Sequence, residues 1–316
     1  MAQSRLIPVQ HLPSGDGQST TRDGDERPRE YYQHLEEGDI LYFAESPFDL
    51  ADDTRTFLLS QRQSGAGYHK NIAYRPSQDR LTGLAKRGRG ENERLHEIMR
   101  TYSQRLTQFL SELLPRYAEK WRLDFASFRP QEERGRRLRL RARNDLLHID
   151  AFPTRPTNGD RILRIFTNLN PTAPRIWLTS ETFESLARRF VGSAPLRLPT
   201  RHPASPGRRL GRLLGQFARS IGLRTVDRPP YDEFMLRFHH YLKENREFQE
   251  SCPKQRWEFP PHSTWLLFTD MVSHAVLAGQ FALEHTFIVP RNALLLPDKA
   301  PVSILESLCG SSLTNA

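Results

Sequence analysis

Apolar and polar residues alternate along this chain with two different periods, and the switch between them marks out its elements. From Glu91 to Trp121, Leu95, Ile98, Met99, Tyr102, Leu106, Phe109, Leu110, Leu113 and Leu114 recur at three- and four-residue intervals. That spacing lines one face of an α-helix, which Pro115 should bend or end. Elsewhere the period falls to two. Arg161–Pro171 sets Leu163, Ile165, Thr167 and Leu169 on one side of a strand, and Ile162, Arg164, Phe166 and Asn168 on the other. Gln131–Arg143 alternates arginine with apolar residues and reads as a strand with one basic face, and Leu146–Phe152 reads as the strand after it. Glu37–Phe43 reads as a turn into a short strand, Phe57–Leu59 as a strand or short helix, and Tyr68–Pro76 as a basic, aromatic loop. Further helices are expected from Thr179 to Phe190, over Arg208–Leu223, and from Asp232 to Phe248. In the last third, Trp265–Phe268, Ser273–Val276 and Phe281–Val289 read as strands broken at Thr269-Asp270 and at Gly279. Short strands following a helical region predict an α+β fold, a double-stranded β-helix (jelly roll) with packed flanking helices.

Composition narrows this picture without fixing it. The 316 residues are enough for one large core, expected over 31–316, while residues 13–30 are almost without apolar groups, and 1–30 is read as a disordered tail. A formal charge of +9 favours anionic partners: nucleic acid, anionic lipid or an acidic substrate. Two cysteines, Cys252 and Cys309, are too few for a disulfide framework and have no zinc-type spacing. No secretory signal or membrane span is evident, so a cytoplasmic protein is expected, with peripheral contact to an anionic inner-membrane surface open. The Arg208–Leu223 helix, apolar on one face and basic around the rest, has the composition of an interfacial helix, although core packing explains it equally.

The chemistry concentrates at Leu146-Leu147-His148-Ile149-Asp150-Ala151-Phe152. On a strand, residues two apart share a face, so His148 and Asp150 would point into the same space. With a distant histidine they would make the 2-His-1-carboxylate set of a non-haem Fe(II). A surface histidine beside a solvated aspartate explains the pair as simply. His274, far along the chain on an apolar strand, is either the third ligand or a satisfied core residue. His239 and His240 are adjacent on a helix, point in different directions, and read as surface or packing residues. Arg164 would be costly to bury without a partner, and either a dicarboxylate or a structural salt bridge would suit it.

Three stretches taken together resemble a known family: His148-Ile149-Asp150-Ala151-Phe152-Pro153, then Arg161–Pro171, then Phe268–Glu284 around His274. They look like the Kdo 3-hydroxylases, Fe(II)- and 2-oxoglutarate-dependent dioxygenases that hydroxylate the Kdo sugar of lipopolysaccharide, and the resemblance runs from about Tyr31 to Pro290. It implies His148, Asp150 and His274 as iron ligands, with Fe(II), 2-oxoglutarate and O₂ as the reacting set. It further implies that Kdo on lipid A is hydroxylated at C3 to give Ko, with no nucleic acid as partner. Many relatives carry an arginine on the strand after the distal histidine, where this chain has His285-Thr286. The co-substrate is therefore expected at Arg164, with Asn168 nearby and Arg161 or Arg291 as further candidates. Lys70, Asn71 and Arg141 are candidates for holding the sugar. Competing readings are an oxygenase of the same chemistry acting on nucleic acid or protein, and a non-enzymatic basic module that binds membrane or nucleic acid.

Overall fold

The structure, a computed structural model, describes residues 4–9, 27–62, 71–84, 88–193, 196 and 228–315. The apolar runs of the last third form its centre. Strand β11 (Ala282–Val289) runs antiparallel between β5 (Arg122–Arg129) and β6 (Arg161–Asn168). On the far side of β6 come β9 (Thr264–Phe268), β2 (Ile40–Phe43) and β1 (Leu6–Pro8), the last pair parallel. Beyond β5 lie β3 (Ile72–Arg75) and β4 (Arg80–Thr82), completing an eight-stranded sheet. A second sheet has β7 (Arg175–Thr182) between β10 (Val272–Ala278) and β8 (Gln255–Phe259). This is a mixed α+β fold.

The alternation along β6 decides what each face of the large sheet meets. Leu163 and Ile165 join Leu95, Met99, Tyr102 and Leu106 of helix α3 (Arg89–Leu113) in the main core. Phe166 points the other way, into a smaller cluster with Trp265 from its own sheet and Trp177, Phe259 and Val276 from the second. Helices thus cover one face and the small sheet the other. Between the sheets, Phe259 stacks on Trp265 with ring centres 3.9 Å apart, and Trp177 meets Phe166 edge-on at 4.8 Å. Deleting a buried ring of this kind costs about 3–5 kcal/mol.

Gly279, in the turn from β10 to β11, has φ of +127°, a conformation that L side chains rarely adopt. A Cβ there would come within 2.7 Å of the Arg175 side chain, and the Gly279 carbonyl accepts a 3.0 Å hydrogen bond from Arg175 Nη1. The turn therefore seats an arginine between the sheets. Among the described residues, no helix is long and apolar enough to cross a membrane.

Several expectations fail for identifiable reasons. The arginine-rich stretch is not a strand: Leu140–Ala142 is a 3-10 turn, closed by Ala142 N–H to Arg139 O and Arg143 N–H to Leu140 O. Three of its arginines meet separate acids, Arg136 with Glu133, Arg141 with Glu244 and Arg143 with Asp145, so these three do not share a face. Thr179–Glu181 belongs to β7, and helix α5 (Phe183–Phe190) starts after it. Of the two forms expected for Phe57–Leu59 the structure has the helix, within α2 (Asp52–Ser60), whereas β3 occupies the end of the expected Tyr68–Pro76 loop. Part of the expected tail is in regular structure too: Leu6–Pro8 forms β1, and α1 (Arg27–Glu37) begins at Arg27. The Arg208–Leu223 segment lies outside the described residues.

Candidate metal centre

Residues 146–152 do not form a strand, because side chains rather than a neighbouring strand satisfy much of their backbone. Gln249 of α7 (Arg246–Ser251) accepts from Leu147 N–H at 3.0 Å and donates to Leu147 O at 2.9 Å. His239 of α6 (Pro230–Glu244) makes a 2.7 Å hydrogen bond to Ile149 O through Nδ1. What survives of strand pairing is a single bridge, in which His148 and His274 exchange N–H···O bonds of 3.0 and 2.9 Å. Asp150 N–H is then tied to Thr269 O at 2.9 Å, just before β10. Two segments far apart in sequence are thereby fixed at the ligand positions themselves.

The side chains converge. His148 Nε2 lies 3.6 Å, and His274 Nε2 4.0 Å, from Asp150 Oδ1. Each residue offers a donor atom such that all three fall within 4.8 Å of one another, and all three residues are buried. Both imidazoles are held in one orientation, since His148 Nδ1 bonds Leu146 O at 2.7 Å and His274 Nδ1 bonds Val272 O at 3.0 Å. A nitrogen donating to a carbonyl carries the proton, which leaves the Nε2 lone pair available to a metal. Burial pushes His148 below the ordinary histidine range, with help from Lys243. Burial and then the facing His148 bring His274 down to about 3. For Asp150 burial acts in the opposite direction, but Arg164 and the two histidines hold its carboxyl well below the usual range. Two neutral imidazoles and one carboxylate are a donor set suited to a divalent first-row metal.

These residues line a cavity of about 330 Å³ between the sheets. Among its described lining residues, six are basic (Arg129, Arg141, Arg155, Arg164, Arg175 and Lys243) and two acidic (Asp150 and Glu284). Arg164, the expected anchor of the co-substrate, lines this cavity, and both ends of its guanidinium are occupied: Nη1 bonds Asp150 Oδ2 at 2.6 Å and Nη2 bonds Glu284 Oε2 at 2.7 Å. Glu284 also accepts from Arg129 Nε at 2.7 Å. Burial alone would raise the Glu284 carboxyl, but Arg129 and Arg164 outweigh it and hold it near about 2.

Other expected residues fare differently. Asn71 lines the cavity, with its Oδ1 buried and without a hydrogen-bond partner, and Arg141 lines it while paired to Glu244. Lys70 lies outside the described residues. Asn168 is not in the wall: its amide donates to the carbonyls of Ala173, Phe259 and Pro260 and so ties loops at the end of β6. Nor is Arg161, which is fully buried against Asp270 at 2.9 Å with its guanidinium over Phe268. Arg291 pairs with Glu306, away from the cavity.

Trp177 and Glu284 escaped the sequence reading, and His239 was read there only as a surface or packing residue. His239 packs edge-on against His148 with ring centres 4.9 Å apart, and Trp177 stacks on His274 at 5.4 Å. Glu284, an acid within an apolar strand, was the one visible signal, because a buried carboxylate requires a partner.

The family description "3-deoxy-D-manno-oct-2-ulosonic acid (Kdo) hydroxylase" matches residues 18–312. No curated protein sequence matches the chain. Among solved structures, the chain is similar to the Kdo hydroxylase KdoO, a non-heme Fe(II) alphaketoglutarate dependent dioxygenase, in complex with alphaketoglutarate and Fe(III). That likeness has 31% identity, covers 98% of both chains and gives a TM-score of 0.81. The cobalt(II) complex of the same protein matches with 32% identity, 98% coverage of both chains and a TM-score of 0.82. With a profile spanning nearly its whole length and an end-to-end structural likeness of this kind, the chain belongs to the Kdo hydroxylase family.

Proposed function

We propose that this chain is an Fe(II)- and 2-oxoglutarate-dependent dioxygenase that hydroxylates Kdo, with His148, Asp150 and His274 as the protein ligands of the iron. The observation that carries the reading is the convergence of those three donors in the wall of a basic cavity. We read the two facing sheets as the double-stranded β-helix of such enzymes. Iron bound there, with 2-oxoglutarate and O₂, would supply the oxidation that places a hydroxyl on the sugar as the co-substrate leaves as succinate and CO₂.

The protein's own part is orientation and field. Carbonyls at Leu146 and Val272 fix the two imidazoles, and Arg164 fixes the carboxylate. Three protein ligands leave positions free for small molecules. The excess of basic over acidic groups around the cavity favours a dianionic oxo acid and a sugar that itself bears a carboxylate. Asn71 and Arg141, on the cavity wall, are our candidates for contact with the sugar. The substrate in this reading is Kdo carried on lipid A, hydroxylated at C3 to Ko, and the +9 charge supports contact with an anionic inner-membrane surface.

The test is succinate release by the Fe(II)-loaded protein with 2-oxoglutarate in air, in the presence of Kdo-lipid A or of an oligonucleotide. Release stimulated by the glycolipid alone, with one oxygen atom gained by its sugar, is expected. Stimulation by neither would overturn the assignment.

A further inference from the structure

An arginine guanidinium fits a carboxylate as a two-pronged fork, both prongs on one acid. Arg164 does not do this. One prong goes to Asp150 Oδ2 and the other to Glu284 Oε2. Strand pairing enforces the division. Across β6 and β11, Arg164 faces Thr286 and Phe166 faces Glu284, so Glu284 sits diagonally from Arg164 on the cavity side. Across β11 and β5, Ala282 faces Arg129 and Ser127 faces Glu284, so Glu284 reaches Arg129 diagonally in the other direction. One carboxylate on the middle strand thus bridges an arginine from each neighbour, and it is only 4% exposed. The guanidinium is also held over the Phe166 ring at 4.9 Å, and its Nε is buried without a hydrogen-bond partner.

We infer that Glu284 is a positioning residue for the metal centre, acting through Arg164: by engaging one prong of the fork, it confines Arg164 to Oδ2 of Asp150 and keeps Oδ1 facing His148 and His274. Among the described residues, Glu284 is the acid that holds the second prong away from Asp150. Without it, the fork closes on both oxygens of Asp150 and withdraws the ligand. The inference also assigns Arg164 to the carboxylate ligand rather than to the oxo acid. It rests on His148, Asp150 and His274 being the ligand set.

The probe is Co(II) alone, titrated into the metal-free protein and followed by its visible absorption and by calorimetry. Wild type binds and His274→Ala does not; if wild type fails to bind, or His274→Ala binds equally well, the ligand set falls and this inference with it. Glu284→Gln should bind Co(II) about 10–100-fold more weakly, the usual cost of disturbing the hydrogen-bond partner of a metal ligand, here Arg164 on Asp150. Adding Arg164→Gln to that variant should recover affinity, because the fork that captured Asp150 is gone. Recovery in the double variant is a coupling that a merely structural role would not produce. Glu36→Gln calibrates the cost of neutralising a buried acid elsewhere, since Glu36 accepts from Tyr117 Oη at 2.6 Å and from Leu295 N–H at 2.8 Å. It should melt earlier yet leave the Co(II) spectrum and affinity unchanged. Should Glu284→Gln fail to fold, Glu284→Asp, one methylene too short for Arg164, takes its place with the same sign and the same rescue. Wild-type affinity in the Glu284 variant, a double variant weaker than either single change, or equal weakening by Glu36→Gln would each overturn the inference.

Discussion

Gln249 does for Leu147 what a neighbouring strand would otherwise do. Its amide accepts from the Leu147 N–H at 3.0 Å and donates to the Leu147 carbonyl at 2.9 Å, and a second bond from Nε2 reaches Leu242 O at 2.8 Å. A helix side chain thereby holds the segment that carries two of the three candidate ligands. Gln249→Leu leaves these backbone groups without their partner and should destabilise the protein by about 1–3 kcal/mol. Urea unfolding measures the loss. A variant as stable as the parent would mean that water replaces the amide.

The ligand set makes the sharpest demand on activity. His148→Ala, Asp150→Ala and His274→Ala should each reduce turnover below detection while far-ultraviolet circular dichroism stays that of the parent. Turnover retained in any one of them removes that residue from the site.

Trp177 serves packing and site together. It lies nearly parallel to His274, at 16° and 5.4 Å, and meets Trp265 edge-on at 5.5 Å. Trp177→Ala should cost about 3–5 kcal/mol by chemical denaturation. Trp177→Phe should cost less and still bind Co(II), because a ring remains against the imidazole. Equal stability of the Ala and Phe variants would contradict the packing role.

Acid should weaken the fold partly through Glu133. Burial alone would raise its carboxyl, but Arg129, Arg175 and Arg136 outweigh burial and place it below its ordinary value of 4.5. A carboxyl depressed in the folded state contributes stability that is complete above its unfolded value and is lost as pH falls through the folded one. Unfolding free energy should therefore decline below about pH 4.5. The decline should be shallower in Glu133→Gln, as read from urea titrations across that range. An unchanged slope would remove Glu133 from the acid response.

The strands of the last third were legible because their apolar runs are broken where the chain turns, at Thr269-Asp270 and at Gly279. Helix α3 was legible from one uninterrupted stripe. The arginine-rich stretch misled because a period of two says only that side chains alternate, and here Arg136, Arg141 and Arg143 turn to three different acids. The His-x-Asp pair was visible, but its conformation was not, since Gln249 and His239, which satisfy its backbone, lie about a hundred residues away. Asn168 shares a face with Arg164 and was not distinguishable from it by alternation, whereas Arg161 falls on the opposite face with Leu163 and could have been set aside on that ground. Only the packed structure shows Asn168 bound to loop carbonyls and Arg161 bound to Asp270.

The reciprocal backbone bonds between His148 and His274 have a kinetic implication. Because the main chains of the two residues are paired directly, the imidazoles are expected to come together as the sheets assemble, ahead of any ion. Loading then becomes a matter of diffusion into a finished receptacle. Stripped protein should regain its metal at a rate proportional to the supply of free ion, with no slow conformational phase limiting reactivation.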